Sequence, residues 1–172
     1  HVVGLVDVYD TDYDENGLCP GLFELSLMSD GNYNNNGRTP PNLSAWERYM
    51  AGWLELEELT GCSHCLLPPI SENKAYFYTT DVEGEIFMLE NRQKGDGWDQ
   101  YINGSGLLIY HIDRSDNWVS GIRAKDRWIR NVPNNIKAHP CMRLIPANGV
   151  YSGNYSNAGM YYPGAMGVTT AE

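Results

Sequence analysis

The sequence predicts an α+β fold with a mainly antiparallel sheet, because it contains one capped helix, three strand-like runs and a short turn between two of them. Ser44 and Glu47 have the spacing of a capping box and precede an apolar stretch, which predicts a helix over 44–54. Runs rich in aromatic and β-branched residues predict strands at 75–80, 85–90 and 106–112. The turn-forming residues 81–84 predict a hairpin between the first two strands.

The other segments carry weaker signals. Residues 1–40 contain many Asp, Asn and Gly and are expected to be irregular. Residues 114–135 give a weak helical or irregular pattern, and 136–145 is a candidate strand broken at Pro140. The final segment, 146–172, is a tail rich in Gly, Asn and Tyr.

Length and charge exclude several classes of protein. The chain has 172 residues, a length typical of one domain, and no apolar run approaches the roughly 20 residues that span a bilayer. The formal net charge is -10 and the pI is about 4.7. A chain this acidic repels phosphate, so neither nucleic acid nor an anionic membrane surface is expected as a partner.

His1, Gly4 and Asp7 form the pattern H-x-x-G-x-x-D. If a helix ends at Gly4, a left-handed glycine lets the chain break away and return Asp7 towards His1. Imidazole and carboxylate are both ordinary zinc ligands. The alternative interpretation is a helix C-cap followed by a solvated aspartate.

This pattern resembles the second half of the extended zinc motif H-E-x-x-H-x-x-G-x-x-[HD] of metzincin-like peptidases, in particular the immune inhibitor A family of secreted bacterial metallopeptidases. The similarity covers nearly the whole chain and includes LSLMSDG at 25–31 and GSGLLIYHID at 104–113. Further similar segments lie at 7–13, 41–47, 52–54, 84–93, 97–99 and 162–164.

The resemblance implies a zinc site in which His1 is the second histidine ligand and Asp7 the third protein ligand. It places Met28 in a Met-turn, where an apolar side chain supports the ligands without binding the metal. Gly4 is then a structural turn residue, and Tyr33, five residues after Met28, is a candidate to stabilise the oxyanion. The alternative for Met28 is an ordinary core methionine.

The resemblance also implies that residues 1–172 are the C-terminal portion of one catalytic domain. Residues 1–60 would hold the end of the zinc-binding active-site helix, the Met-turn region and the one clear helix, and 61–172 would be the β-rich part. In that family the first zinc histidine and the catalytic glutamate lie four and three residues, respectively, before the second histidine, ahead of His1. The glutamate takes the proton of the zinc-activated water that hydrolyses the peptide bond.

These 172 residues are therefore predicted to be an inactive fragment that binds zinc weakly at best. The expected partners are the missing N-terminal half of the domain and a protein or peptide substrate. The family, the acidic charge and candidate disulfides favour a secreted or cell-envelope location. The alternative function is a non-catalytic secreted module that binds carbohydrate or protein through exposed tryptophans.

Asp10, Asp12 and Asp14 resemble the opening of a calcium-binding loop, because alternating side-chain oxygens can converge on one hard cation. Glu15 and Gly21 do not match the glycine and glutamate of an EF-hand. A plain Asx-rich turn is therefore the favoured alternative to a calcium site.

For two other groups of residues, a structural role is favoured over a metal-binding or catalytic one. Cys62, His64 and Cys65, with His139 and Cys141 elsewhere, offer zinc ligands, but a disulfide or unreactive thiols are favoured over a second metal. Acidic and basic residues at strand ends are interpreted as ion pairs or core residues rather than catalytic groups. They are Glu90, Arg92, Asp96, Asp99, His111 and Asp113.

Overall fold

A computed structural model describes residues 1–13, 19, 21–61, 64–151, 158–164 and 167–171 of the chain. It contains both helices and sheets, so the predicted α+β class is confirmed. Among the described residues, no helix has the length and apolar character needed to span a bilayer, as expected from the sequence.

The main sheet has five strands in the order β1-β2-β3-β4-β7. The strands are β1 (Glu57–Glu58), β2 (Tyr76–Thr79), β3 (Glu85–Arg92), β4 (Gly106–Asp113) and β7 (Met142–Leu144). β1 is parallel to β2, whereas the other three pairings are antiparallel. The predicted strands and the β2–β3 hairpin are thus confirmed, and the candidate strand at 136–145 begins only after Pro140.

Residues 114–135 form more regular structure than the sequence predicts. They contain β5 (Trp118–Val119) and β6 (Ile122–Arg123), which make a small antiparallel sheet, and then α3 (Ala124–Ile129). Each element has two to six residues, too short to give a clear periodic pattern.

The predicted helix is α2 (Ala45–Met50), and both halves of its capping box are present: Ser44 accepts from the Glu47 N–H, and Glu47 accepts from the Ser44 N–H. The helix ends earlier than predicted. Gly52 has a left-handed φ of 73°, its N–H donates to the carbonyl of Tyr49, and the next N–H donates to Arg48. This is a Schellman motif, so the glycine inside the predicted range marks the stop.

Short helical turns connect these elements. α1 (Asn34–Gly37) is a four-residue turn with left-handed φ at Asn35 and Asn36. The 3-10 helices are Phe23–Leu25, Asp30–Tyr33, Ile70–Glu72, Asp99–Tyr101 and Ala158–Met160.

The sheet has a different core on each face, because successive side chains of a strand point to opposite sides. The main core lies on one face, where Trp46 of α2 packs against Trp128 of α3 with ring centroids 5.0 Å apart. The sheet residues in this core are Met88, Leu108, Tyr110, Ile112, Met142 and Leu144. The smaller core on the opposite face consists of Ile109, Ala147 and Tyr162, with Phe87, Leu107, Ile145 and Val168 packed against it.

Several residues of the predicted tail belong to these cores. Met160 and Tyr161 are buried, and Tyr162 exchanges two backbone hydrogen bonds with Leu107 of β4. Gly106 makes this approach feasible, because an added Cβ would lie 2.4 Å from the Tyr162 carbonyl oxygen.

Candidate metal centre

The first seven residues reverse direction at Gly4, after a turn at residues 2–3. The Gly4 N–H donates to the His1 carbonyl at 2.9 Å, and Gly4 has a φ of 83°. No atom would obstruct a Cβ at this position, so the left-handed backbone alone favours glycine. The reversal returns Asp7 to His1.

The side chains of His1 and Asp7 meet, with 3.3 Å between His1 Nε2 and Asp7 Oδ1. His1 Nδ1 lies 3.0 Å from the Leu5 carbonyl. A carbonyl oxygen only accepts hydrogen bonds, so Nδ1 carries a proton and Nε2 offers its lone pair when the ring is neutral. The imidazole is 62% exposed and the carboxylate 15%, which leaves the pair open to solvent on one side.

This geometry fits a shared cation. Two ligands that each lie about 2.0–2.1 Å from a tetrahedral zinc are roughly 3.4 Å apart, close to the separation of His1 Nε2 and Asp7 Oδ1. The carbonyl at Leu5 fixes the orientation of the imidazole, as the outer partners of metal-bound histidines do.

Asn131 makes two hydrogen bonds with Asp7, one to its carboxylate and one from its backbone N–H. Its Nδ2 donates to Asp7 Oδ2 at 2.7 Å, and its Oδ1 accepts from the Asp7 N–H at 2.7 Å. Asn131 follows α3 with a φ of 60°. Its N–H donates to the Trp128 carbonyl, and the Val132 N–H to that of Arg127, so α3 ends in a Schellman motif with asparagine in the left-handed position.

Asn131 is a site residue that the sequence analysis missed. An asparagine after a helix signals a cap, but nothing in its local sequence points to Asp7, 124 positions away. Two neighbouring asparagines reinforce the same contact: Asn135 accepts from the N–H and hydroxyl of Thr11, and Asn134 donates to the Val8 carbonyl.

Met28 lies in a tight turn beside the ligand segment. The Ser29 N–H donates to the Ser26 carbonyl at 3.2 Å, and the Met28 carbonyl accepts from the Val8 N–H at 3.0 Å. The Met28 side chain is buried in the main core, which also contains Leu5 and Val8. This turn is therefore adjacent to the segment that holds Asp7, and its methionine is part of the core; the role of Met28 in a Met-turn stays a prediction.

Tyr33 is exposed. Burial raises the pKa of the Tyr9 hydroxyl, and the neighbouring Asp7, Tyr13 and Tyr33 raise it further. The role of Tyr33 at an oxyanion stays a prediction.

The carboxylate of Asp10, in the proposed calcium loop, accepts hydrogen bonds from two backbone N–H groups. Its Oδ1 accepts from the Asp12 N–H at 3.2 Å and its Oδ2 from the Cys19 N–H at 2.8 Å. Burial raises the pKa of Asp10, although the backbone donors at Cys19 and Asp12 act in the opposite direction. The bond from the Asp12 N–H, two residues further on, is an Asx-turn, which favours that interpretation; Asp14 lies outside the described residues.

Arg92 forms a buried ion-pair network, which is the structural role proposed for it from the sequence. Its guanidinium donates twice to Asp99 and once to Glu90. It also donates to the carbonyls of Leu25 and Asn42. Burial alone would lower the pKa of Arg92, but the negative charges of Glu90 and Asp99 raise it well above its usual value.

Among the described residues, the cysteines and nearby histidines do not come together in the zinc site considered for them. His64 and Cys65 are exposed, whereas Cys141 is fully buried and its Sγ donates to the Ala124 carbonyl at 3.7 Å. Burial raises the pKa of the Cys141 thiol to about 12, which disfavours the thiolate that zinc requires. His139 bonds instead to Asp113, and Cys62 lies outside the described residues.

Comparison of the chain with protein-family models, with curated proteins and with solved structures finds no match. The resemblance to immune inhibitor A peptidases therefore depends on the motifs in the sequence.

Proposed function

We propose that these residues are the C-terminal part of the catalytic domain of a secreted zinc metalloendopeptidase similar to immune inhibitor A. The observation that carries the proposal is the 3.3 Å separation of His1 Nε2 and Asp7 Oδ1. Each ligand is also oriented through its other polar atom, His1 by Leu5 and Asp7 by Asn131.

When bound, zinc polarises the scissile carbonyl and lowers the pKa of a water molecule to roughly 7. His1 and Asp7 would hold it, and Asn131 would keep Asp7 from rotating. The Met28 turn supports the ligand segment through the hydrogen bond from Val8. Exposure of the imidazole leaves room for an extended peptide to approach the same side.

In the intact domain, residues that precede His1 would supply the first zinc histidine and the general-base glutamate. Two ligands bind zinc more weakly than three, and without the glutamate nothing accepts the proton of the attacking water. The 172-residue chain is accordingly proposed to be inactive alone and to need those residues for catalysis.

The first test is to read the coding sequence upstream of His1 and then to express the domain with those residues included. His-Glu-x-x directly before His1, which completes the full motif, is the expected result. In that domain, Asp7→Asn should reduce zinc content and peptide hydrolysis together. The matched control is Asp81→Asn, in the exposed turn between β2 and β3, which should change neither.

Two outcomes would contradict this function. A start codon or a signal-peptide cleavage site directly before His1 would leave the mature chain without a general base. Zinc content unchanged by Asp7→Asn would remove Asp7 from the metal site even if the upstream motif were present.

A binding module is the second candidate, and exposed tryptophans favour it. Trp46 and Trp128 are buried, but Trp53, Trp98 and Trp118 are exposed, and such rings can stack on sugars. This function predicts that glycans change the tryptophan fluorescence of the isolated chain and that replacing the exposed rings abolishes the change. A chain that responds to no glycan would leave the peptidase as the better proposal.

A further inference from the structure

A second cluster of metal-binding side chains lies on the smaller-core face of the sheet. Glu85 begins β3 and is the cross-strand partner of Asp113, the last residue of β4. His139 approaches them from the segment before β7. One ligand atom from each of these three residues lies within 4.8 Å of the others. Three separate parts of the chain therefore place an imidazole and two carboxylates together.

Each carboxylate of the cluster contacts a different histidine. Asp113 Oδ2 lies 2.6 Å from His139 Nε2, and Glu85 Oε1 lies 2.6 Å from His111 Nε2. His111 precedes Asp113 by two residues on β4, so both side chains are on the same face. The two imidazole rings are 6.1 Å apart, edge to face, so the two pairs form one continuous group.

The remaining polar atoms of the carboxylates are oriented by neighbours. Asp113 Oδ1 accepts from the Ser115 N–H at 2.7 Å, and Glu85 Oε2 accepts from the Thr80 hydroxyl at 3.2 Å. Outer partners of this kind fix ligand geometry at metal sites. The backbone of His139 is fixed as well, because its carbonyl accepts from Arg127 at 2.7 Å.

The cluster is not fully satisfied by its own hydrogen bonds. His111 is buried, and its Nδ1 has no hydrogen-bond partner among the described residues, which is costly for a polar atom shielded from water. Arg143 is the cross-strand partner of His111. Its guanidinium lies over the ring of Tyr151. Glu85 and Asp113 therefore each contact one imidazole of the cluster.

We propose that Glu85, Asp113 and His139 form a binding site for a divalent transition metal such as Zn²⁺, with His111 positioning Glu85. The site is separate from the pair His1 and Asp7 and does not depend on the function proposed above. Mixed imidazole and carboxylate ligands suit zinc and its neighbours better than calcium, which prefers oxygen alone. The side chain of His139 is 33% exposed, which gives the ion a route from solvent.

A metal here would be structural. It would join the start of β3, the end of β4 and the segment that leads into β7, where the Asp113 N–H already donates to the Cys141 carbonyl. The simpler alternative is that the two histidine–carboxylate pairs hold these segments together without an ion.

The test uses the full chain carrying Asp7→Asn, so that the first candidate site cannot contribute. Cobalt is the probe, because Co²⁺ bound by imidazole and carboxylate gives visible absorption bands, and zinc titration calorimetry supplies the stoichiometry. We expect one equivalent to bind. Adding His139→Gln or Glu85→Gln should weaken binding at least tenfold. The control is His64→Gln, which replaces an exposed histidine and should leave the affinity unchanged.

Circular dichroism in EDTA, recorded for each variant, separates loss of the site from loss of the fold. If His139→Gln unfolds, Glu85→Gln decides, because its amide retains the shape of the side chain. No cobalt spectrum in the Asp7→Asn chain, or equal affinity in folded His139→Gln, would overturn the site and leave the network of hydrogen bonds as its whole role. Loss of binding from Asp7→Asn alone would instead assign the metal to His1 and Asp7.

Discussion

The carboxylate of Glu47 accepts a hydrogen bond from the backbone N–H of Met28 at 3.2 Å, across 19 positions of sequence. The same carboxylate accepts from the hydroxyl of Ser26 and completes the capping box with Ser44. One buried side chain therefore fixes both the start of α2 and the turn beside the candidate metal ligands.

Replacing Glu47 by alanine should destabilise the protein by about 2–4 kcal/mol. The change removes a helix cap and leaves the buried donors at Ser26, Met28 and Ser44 without their acceptor. Chemical denaturation monitored by circular dichroism measures this loss. Glu72→Ala, which removes an exposed glutamate from a short helical turn, should change stability little; equal effects of the two variants would contradict the shared role of Glu47.

The stability of the protein should also depend on the ionisation of Glu47. Burial raises its pKa above the usual 4.5, although hydrogen bonds from Ser44, Ser26 and Met28 act against this. A carboxyl with a raised folded-state pKa contributes stability that is present below its unfolded pKa and lost as pH rises through the folded value. Between pH 7 and pH 4, the Tm of the wild type should therefore rise relative to that of Glu47→Gln. A difference that is constant or shrinks on acidification would show that ionised Glu47 is not penalised.

Lysine should not substitute for Arg92. The guanidinium donates to Glu90, Asp99 and two carbonyls in a planar fork that a single ammonium cannot reproduce. Arg92→Lys should cost about 3–5 kcal/mol, because it breaks a buried network of charges. Urea unfolding of this variant and of exposed Arg130→Lys provides the comparison. A similar midpoint for both would mean that the fork geometry is dispensable.

Gly31 should tolerate no side chain, for a reason of space. An added Cβ would lie 2.4 Å from the Ser26 carbonyl oxygen, inside the turn that holds Met28, so Gly31→Ala should destabilise by about 2 kcal/mol or more. Gly95→Ala is the matched control, since its φ is 92° but its surroundings are open; backbone strain alone should cost about 1 kcal/mol. Thermal melts of both variants should rank them in this order.

Asn131→Gly should weaken zinc binding in the domain completed by its upstream residues. Glycine accepts the φ of 60° at this position but removes the amide that orients Asp7, and loss of such a partner costs roughly 10–100-fold in metal affinity. Asn73→Gly is the control, because Asn73 has a φ of 59° and its amide contacts Trp53 and Arg48 instead. Equal zinc affinities in the two variants would remove Asn131 from the site.

The sequence predicted the parts of the fold that depend on local patterns. The capping box at Ser44 and the long runs of β3 and β4 each carry their own signal, and all are present. The end of α2 was placed too late because the apolar pattern continues to Leu54, although Gly52 stops the helix. The short strands β5 and β6 gave no prediction because two residues cannot establish a period.

The residues of the candidate sites also fall into two groups: those that are close in sequence and those that only the folded structure brings together. His1, Gly4 and Asp7 lie within one turn of chain, so their spacing predicts their meeting. Asn131 and the pairing of Asp113 with His139 join distant segments, and only the packed sheet and α3 bring them together. The sequence predicts only structural roles for His111 and Asp113, as ion-pair or core residues, because their partners Glu85 and His139 are not adjacent in sequence.

The contacts that support Asp7 determine when, during synthesis of the chain, this carboxylate can reach its final orientation. Asp7 bonds to Asn131, Thr11 to Asn135 and Val8 to Asn134, over 124 to 126 positions. Contacts this distant close large loops, which costs chain entropy and slows folding. During synthesis, Asp7 emerges long before α3, so a nascent chain cannot hold this carboxylate in its final orientation. The candidate zinc ligands would thus become competent only when most of the chain has been made and folded.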